Sequence, residues 1–167
     1  MRPFTPGDTD VYPTVGTGII RAIEDFSVEG ISQPMYVIWF SRHQMTQRVP
    51  TTTDKLRGLS TKKETEEALR KLVGRRKKIR AHPHVVKRIH DAQLNSGALS
   101  DLTELVCNLF VTEGEVQSYT NMQVSEEATA RLVDELAALG GLSDAVVYGL
   151  VEEALTTKKL PAELKRL

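Results

Sequence analysis

The hydrophobic pattern of this chain changes period near residue 60. Before that point, apolar residues come in short β-rich runs, at Asp10–Tyr12, Val15–Glu24, Met35–Ser41 and Met45–Val49. Proline and glycine punctuate them, at Pro3, Pro6, Gly7, Pro13, Gly16, Gly18, Gly30, Pro34 and Pro50. Short strands with turn signals at this spacing predict a compact antiparallel sheet or SH3-like barrel. The unbroken run Tyr36-Val37-Ile38-Trp39-Phe40 reads as a strand buried on both faces, with Trp39 in the core. Gly18 suits a bulge or tight bend in the second run. Arg48 precedes a strand-ending proline on a short strand, where an edge would leave its guanidinium free to reach a partner.

Beyond residue 60 the period becomes helical. Thr61-x-x-Glu64 is a capping box, and the helix it opens carries Ala68, Leu69, Leu72 and Val73 on one face. Gly74 and the basic run after it end that helix or form a linker. Pro83 fits the first turn of a second helix, with Val85, Val86, Ile89 and Ala92 inward and Lys87 and Arg88 outward. Ser100 or Asp101 starts a third, with Leu102, Leu105, Val106, Leu109 and Phe110 at helical spacing. Ser125-Glu126-Glu127 opens a fourth, with Leu132, Val133, Leu136 and Leu139 inward and Gly140-Gly141 as its stop. A fifth follows Ser143-Asp144, with Val146, Val147, Leu150, Val151 and Leu155, and Pro161 starts a final short turn. The expected fold class is α+β: a small β-barrel over residues 1–59, then a bundle of about five short α-helices over residues 60–167.

Charge sharpens this division. The formal net charge is zero, yet residues 61–90 hold eleven basic groups against three acidic ones, and residues 91–155 hold one basic group, Arg131, against twelve acidic ones. Within Arg70–His90 there are nine cations and no carboxylate. Such crowding is self-repulsive, and a partner that neutralises it gains by counterion release if that partner is a nucleic acid. Arg75, Arg76, Lys77, Lys78, Arg80, Lys87 and Arg88 are therefore the candidate DNA contacts. A solvated basic helix end plus linker is the bland alternative.

Other chemistry finds little support. His82, His84, His90 and Cys107 follow no zinc spacing, so no metal or other cofactor is expected. Gly16-x-Gly18 lacks the Lys-Ser/Thr pair of a phosphate loop. The acids at 126/127 and 152/153 are adjacent and splay around a helix. A single cysteine fits a reducing cytosol. No apolar run approaches the ~20 residues of a membrane span, and the N-terminus lacks a hydrophobic signal segment.

The order of residues resembles a known family. Phe4, Gly7-Asp8, Val11-Tyr12-Pro13, Gly16-x-Gly18 with Ile19/Ile20, and Ile23-Glu24 are similar to the opening of the CarD/CdnL family of bacterial transcription regulators. Tyr36, Arg48-Val49-Pro50, Gly58-Leu59, Leu94-x-Ser96-Gly97, Leu102–Leu109 and a serine-started helix near Ser125 follow in the family's order, over roughly residues 4–139. The resemblance implies a non-enzymatic protein whose Tudor-like barrel binds the β subunit of bacterial RNA polymerase. It implies a helical domain that touches promoter DNA at the upstream edge of the −10 region and stabilises the open complex. Arg48, with Val49 and Pro50, falls on the polymerase-contacting position, while Phe26 stands where some members carry a second contact arginine. The family's minor-groove tryptophan has no counterpart, since its place falls at Pro83 and the only tryptophan lies in the barrel. The resemblance further implies a cytoplasmic, nucleoid-associated monomer with no membrane contact and no small-molecule substrate. The alternative is a polymerase-bound protein-interaction module that makes no direct DNA contact.

Overall fold

Four strands and a two-residue fifth form the N-terminal unit: β1 (Thr9–Tyr12), β2 (Gly16–Val28), β3 (Ile31–Phe40), β4 (Met45–Pro50) and β5 (Arg57–Gly58). They make one antiparallel, barrel-like sheet in the order β4-β3-β2-β1-β5. The computed structural model describes residues 3–28, 31–112 and 114–167, and it divides into two compact units, Met1–Leu59 and Ser60–Leu167. Gly30, one of the expected turn signals, lies outside the described residues.

The barrel core is Ile20, Tyr36, Ile38, Phe40, Val49 and Leu56, with Phe4, Tyr12 and Val15 packed against it. Phe4 meets the Tyr36 ring edge-on at 5.9 Å, and its backbone N–H donates to the Tyr36 hydroxyl at 3.3 Å. The apolar run in β3 is buried at Tyr36, Val37, Ile38 and Phe40, and so on both faces. Tyr36, Ile38 and Phe40 face the core, whereas Trp39 is half-buried on the opposite face, opposite Ile19 on β2 and Thr46 on β4. Trp39 is thus not a core residue. With period 2, three large residues fill the thin interior, and Val37 shares the other face with Trp39, where Val37 is buried too.

Gly18 has a different role from the expected bulge, which falls at Ile20/Ala22 instead. A Cβ at Gly18 would lie 2.5 Å from Ile38 Cγ2 and 2.8 Å from Phe40 Cε1. The glycine lets these two side chains close over β2. Strand β5 had no alternating signature to announce it, and it is held by pairing with β1.

One polar group is buried in this small core. Asp10 on β1 is fully buried, opposite Gly18 on β2 and Gly58 on β5. Neither carboxylate oxygen has a hydrogen-bond partner among the described residues. Glycine on both sides supplies no side-chain donor, and burial, opposed by the residue's own backbone N–H, pushes the carboxyl from its ordinary 3.8 to about 7.

The second unit contains α1 (Lys62–Leu72), α2 (Pro83–Asn95), α3 (Leu99–Leu109), α4 (Tyr119–Gly140) and α5 (Asp144–Thr157), then a 3-10 turn at Leu164–Arg166. The Thr61 capping box forms as read, with Thr61 Oγ1 accepting from Glu64 N–H and Glu64 accepting from Thr61 N–H at 2.7 Å. One continuous core joins Ala68, Leu69 and Leu72 of α1 to Leu102, Leu105 and Val106 of α3, with Leu132 and Leu136 of α4, Val147 and Val151 of α5, and Leu164 also in it. Helix α4 begins six residues before the expected Ser125, because Ser118 caps it by accepting from Asn121 N–H. Its extra turns carry mostly polar and β-branched residues, which give little periodic signal. Gly141, in the left-handed region, ends it. On α5, Val146 is exposed rather than inward, and Ala154 takes a core position instead.

Two buried polar contacts fix this unit. Glu135 of α4 accepts from the Ser60 backbone N–H at 3.0 Å and from its hydroxyl at 2.7 Å, all within the core. Arg131, also buried, donates to Glu127 at 2.7 Å and to the Leu94 carbonyl at the end of α2 at 2.9 Å.

Two outcomes follow for stability. Below the unfolded pKa Asp10 is protonated in both states, and that stability is lost as pH rises to about 7. Asp10→Asn is expected to match the wild type near pH 4 and to melt several degrees higher at pH 8, measured by circular dichroism. Equal melting temperatures at pH 8 would contradict the buried, unpartnered carboxyl. Glu135→Ala leaves two buried Ser60 donors unpaired and should cost about 1–3 kcal/mol in urea unfolding, with Glu135→Gln costing less.

Candidate functional site

In the barrel unit, Arg48 lies on β4, which is one edge of the sheet. Its neighbour across the ladder is Val37 on β3, so it shares the outer face with Trp39. About half of its side chain is exposed, and its guanidinium stands 3.5 Å from Glu24 and 6.0 Å from the centroid of Phe26. An ion pair this exposed and this long is worth little and leaves the guanidinium available to a stronger partner. Ile19, Ile23 and Phe26 are also at least 40% exposed, unusual for a strand of a small barrel. Of the neighbours of Arg48, Val49 turns its side chain into the core and Pro50 is half-buried. Only their backbone lies on the sheet edge.

In the helical unit, the cationic run leaves α1 at Gly74 and is irregular from Arg75 to Arg80. Its course is set by α3. Lys77 N–H donates to Asn108 Oδ1 at 2.7 Å. Glu104, one turn earlier on α3, binds Lys71 Nζ and Lys77 Nζ at 3.1 Å each. Those two ammonium groups hold the Glu104 carboxyl below the ordinary range. Arg76 pairs with Glu115 at 2.9 Å. The Glu115 carboxyl, which also accepts from Thr112 N–H at 2.8 Å, is held down to about 2, first by that backbone donor and then by Arg76.

The seven cations read as DNA contacts therefore separate into two groups. Arg76 is pinned to Glu115 beyond the end of α3 and Lys77 to Glu104 on α3, and Lys87 pairs with Asp91 one turn along α2. Arg75, Lys78, Arg80 and Arg88 are exposed and have no carboxylate partner among the described residues. Glu104, Asn108 and Glu115 are the residues that sort them. The i, i+4 spacing of Glu104 and Asn108 on α3 was visible in the sequence, but nothing there said which segment would lie along it.

Helix α2 is rolled relative to the expected face. Val86, His90 and Leu94 point inward, while Val85, Ile89 and Ala92 are exposed. Rows 85–89–92 and 86–90–94 are both plausible apolar stripes. The bond from Arg131 to the Leu94 carbonyl and the burial of His90 select the second. Burial lowers the His90 pKa, against the pull of the Asp91 charge. The result is an outward face on which Val85 and Ile89 adjoin Arg88. Among the described residues no three His, Cys, Asp or Glu side chains converge as metal ligands, and Cys107 is buried with a raised thiol pKa.

Comparison with known proteins bears on the barrel. A search of the curated proteins gives no match for the chain. Residues 4–61 match the profile of the CarD-like/TRCF RID domain, an RNA polymerase-interacting domain. That match spans the whole five-stranded sheet together with the strand edge that carries Arg48. Residues 4–61 of the N-terminal unit are thus similar to the CarD-like/TRCF RID domain.

Proposed function

We propose that the chain is a non-enzymatic transcription regulator that grips the β subunit of RNA polymerase with its barrel and promoter DNA with its helical unit. The observation that carries the first half is the family match over residues 4–61. Within that domain, the reading assigns the polymerase contact to Arg48 and the edge backbone of Val49 and Pro50. An edge strand offers unpaired backbone groups, and a guanidinium over an exposed aromatic ring can exchange a weak internal carboxylate for one on a partner.

The second half is supported by the four cations that have no carboxylate partner among the described residues. Arg75, Lys78, Arg80 and Arg88 are the primary phosphate contacts in this reading, with Arg76, Lys77 and Lys87 secondary because each must first leave a carboxylate. Phosphate contacts of this kind position a protein on DNA and carry no sequence information themselves. A protein tethered to polymerase needs only weak DNA affinity, since tethering raises the local concentration of its second contact. The complex would act at the upstream edge of the −10 region, in the cytoplasm at the nucleoid. It would change open-complex stability by the difference in its affinity for the open and closed promoter.

One observation favours a second reading, in which the chain binds polymerase without touching DNA. Four of its cations, Lys71, Arg76, Lys77 and Lys87, are already neutralised within the chain.

Two experiments separate these readings. Arg48→Glu should reduce co-purification with RNA polymerase at least tenfold while leaving the melting temperature unchanged, and undiminished capture would remove Arg48 from the interface. Affinity for an upstream-fork promoter fragment, followed across a salt series, should fall with a log–log slope of about −3 to −4 if four phosphates are contacted. Each alanine at Arg75, Lys78, Arg80 or Arg88 should reduce that slope by about 1. Failure to bind at low salt would favour the protein-only reading.

A further inference from the structure

The irregular segment after α1, the inner row of α2 and the start of α4 enclose a cleft of about 670 Å³ in the helical unit. That volume lies within the span of small-molecule sites. Arg76, Lys77 and Lys78 form its cationic wall. Glu115 and Glu104 neutralise the first two, and Lys78 has no carboxylate partner among the described residues. The wall thus presents an excess positive charge to whatever enters. Ser118, which caps α4, lines the same cleft. That helix has 22 residues and no acid in its first turn, so its positive end is uncompensated.

The opposite chemistry is supplied by amides. Asn108 spends its carbonyl oxygen on Lys77 N–H, and Gln117 spends its amide nitrogen on the Leu109 carbonyl at 2.8 Å. Asn108 thereby keeps a donor and Gln117 keeps an acceptor, and Asn121 adds a further amide to the lining. Donor and acceptor amides on one cleft are the means by which proteins read the edge of a nucleobase. Ile79 and Val86 give the base an apolar surface.

The feature that separates this cleft from a casual surface groove is His90. It lines the cleft, is only 5% exposed, and makes no hydrogen bond among the described residues. With the rest of the ring packed away, its nitrogens are left to water or to a ligand in the cleft. Nothing in the packing of α2 uses it as a donor or acceptor.

We infer that this cleft is a mononucleotide-binding site, with the phosphate at Lys78 and the start of α4 and the base against Asn108, Asn121 and His90. This inference does not depend on DNA binding. It gives the helical unit a small-molecule ligand in addition to any macromolecular partner.

The test is calorimetric titration of the full chain with AMP, GMP and inorganic phosphate. At least one nucleotide should bind with submillimolar affinity, and phosphate at least tenfold more weakly. Lys78→Glu and the rim variant Asn121→Leu should each weaken nucleotide binding about tenfold with unchanged circular dichroism. His90→Phe should do the same, with the two rim variants carrying the test if it fails to fold. Arg80→Ala and Arg88→Ala lie outside the cleft lining and should leave nucleotide affinity unchanged, whatever they do to DNA. Four results would overturn the inference: no binding at millimolar nucleotide, phosphate binding as tightly as nucleotide, indifference to both rim variants, or equal loss in the Arg80 and Arg88 variants.

Discussion

The helical unit depends on how α3 handles a run of like charges. Arg75 to Arg80 holds five cations in six positions, and left to itself such a segment extends and repels. Glu104 takes Lys71 and Lys77 together, Asn108 takes the Lys77 backbone, and Glu115 takes Arg76. These contacts are individually weak, as exposed ion pairs are. Together they lay the segment along one helix and decide which charges face outward. Segregated charge within a neutral total is thus partly cancelled inside the unit, and the remainder faces solvent.

That sorting links structure to both proposed activities of the helical unit. The cations left free suit a phosphodiester backbone, which asks for charge at regular intervals and little geometric precision. Arg76 and Lys77, which are pinned, and Lys78, which is not, build one wall of a cleft whose other contributions are amides, an apolar strip and an imidazole. A residue such as Lys78 stands at the border of the two surfaces.

The barrel poses a different physical problem. About sixty residues give a thin interior, and this one spends part of it on an unpartnered carboxyl at Asp10. The glycines beside Asp10 that deny it a partner include Gly18, which lets Phe40 and Ile38 pack closely. The outer face keeps Trp39, Ile19 and Phe26 beside Arg48 and its weakly paired Glu24. The family match covers this unit alone.

Much of this was written in the sequence. The change of hydrophobic period near residue 60, the Thr61 capping box, the Pro83 start of α2 and the glycine stop of α4 are local features, fixed by backbone chemistry that neighbouring residues supply. The ordered residues of the barrel carried the family resemblance for the same reason. Tertiary packing decided what local rules leave degenerate. Residues 85–89–92 and 86–90–94 are equally good stripes until Arg131 reaches the Leu94 carbonyl. Trp39 could be inside or outside until the register of β3 placed Tyr36, Ile38 and Phe40 in the core. No rule of spacing tells an arginine whether a carboxylate thirty-nine positions away will meet it, as Glu115 meets Arg76. Such choices depend on which distant atoms arrive nearby, and only the folded chain brings them together.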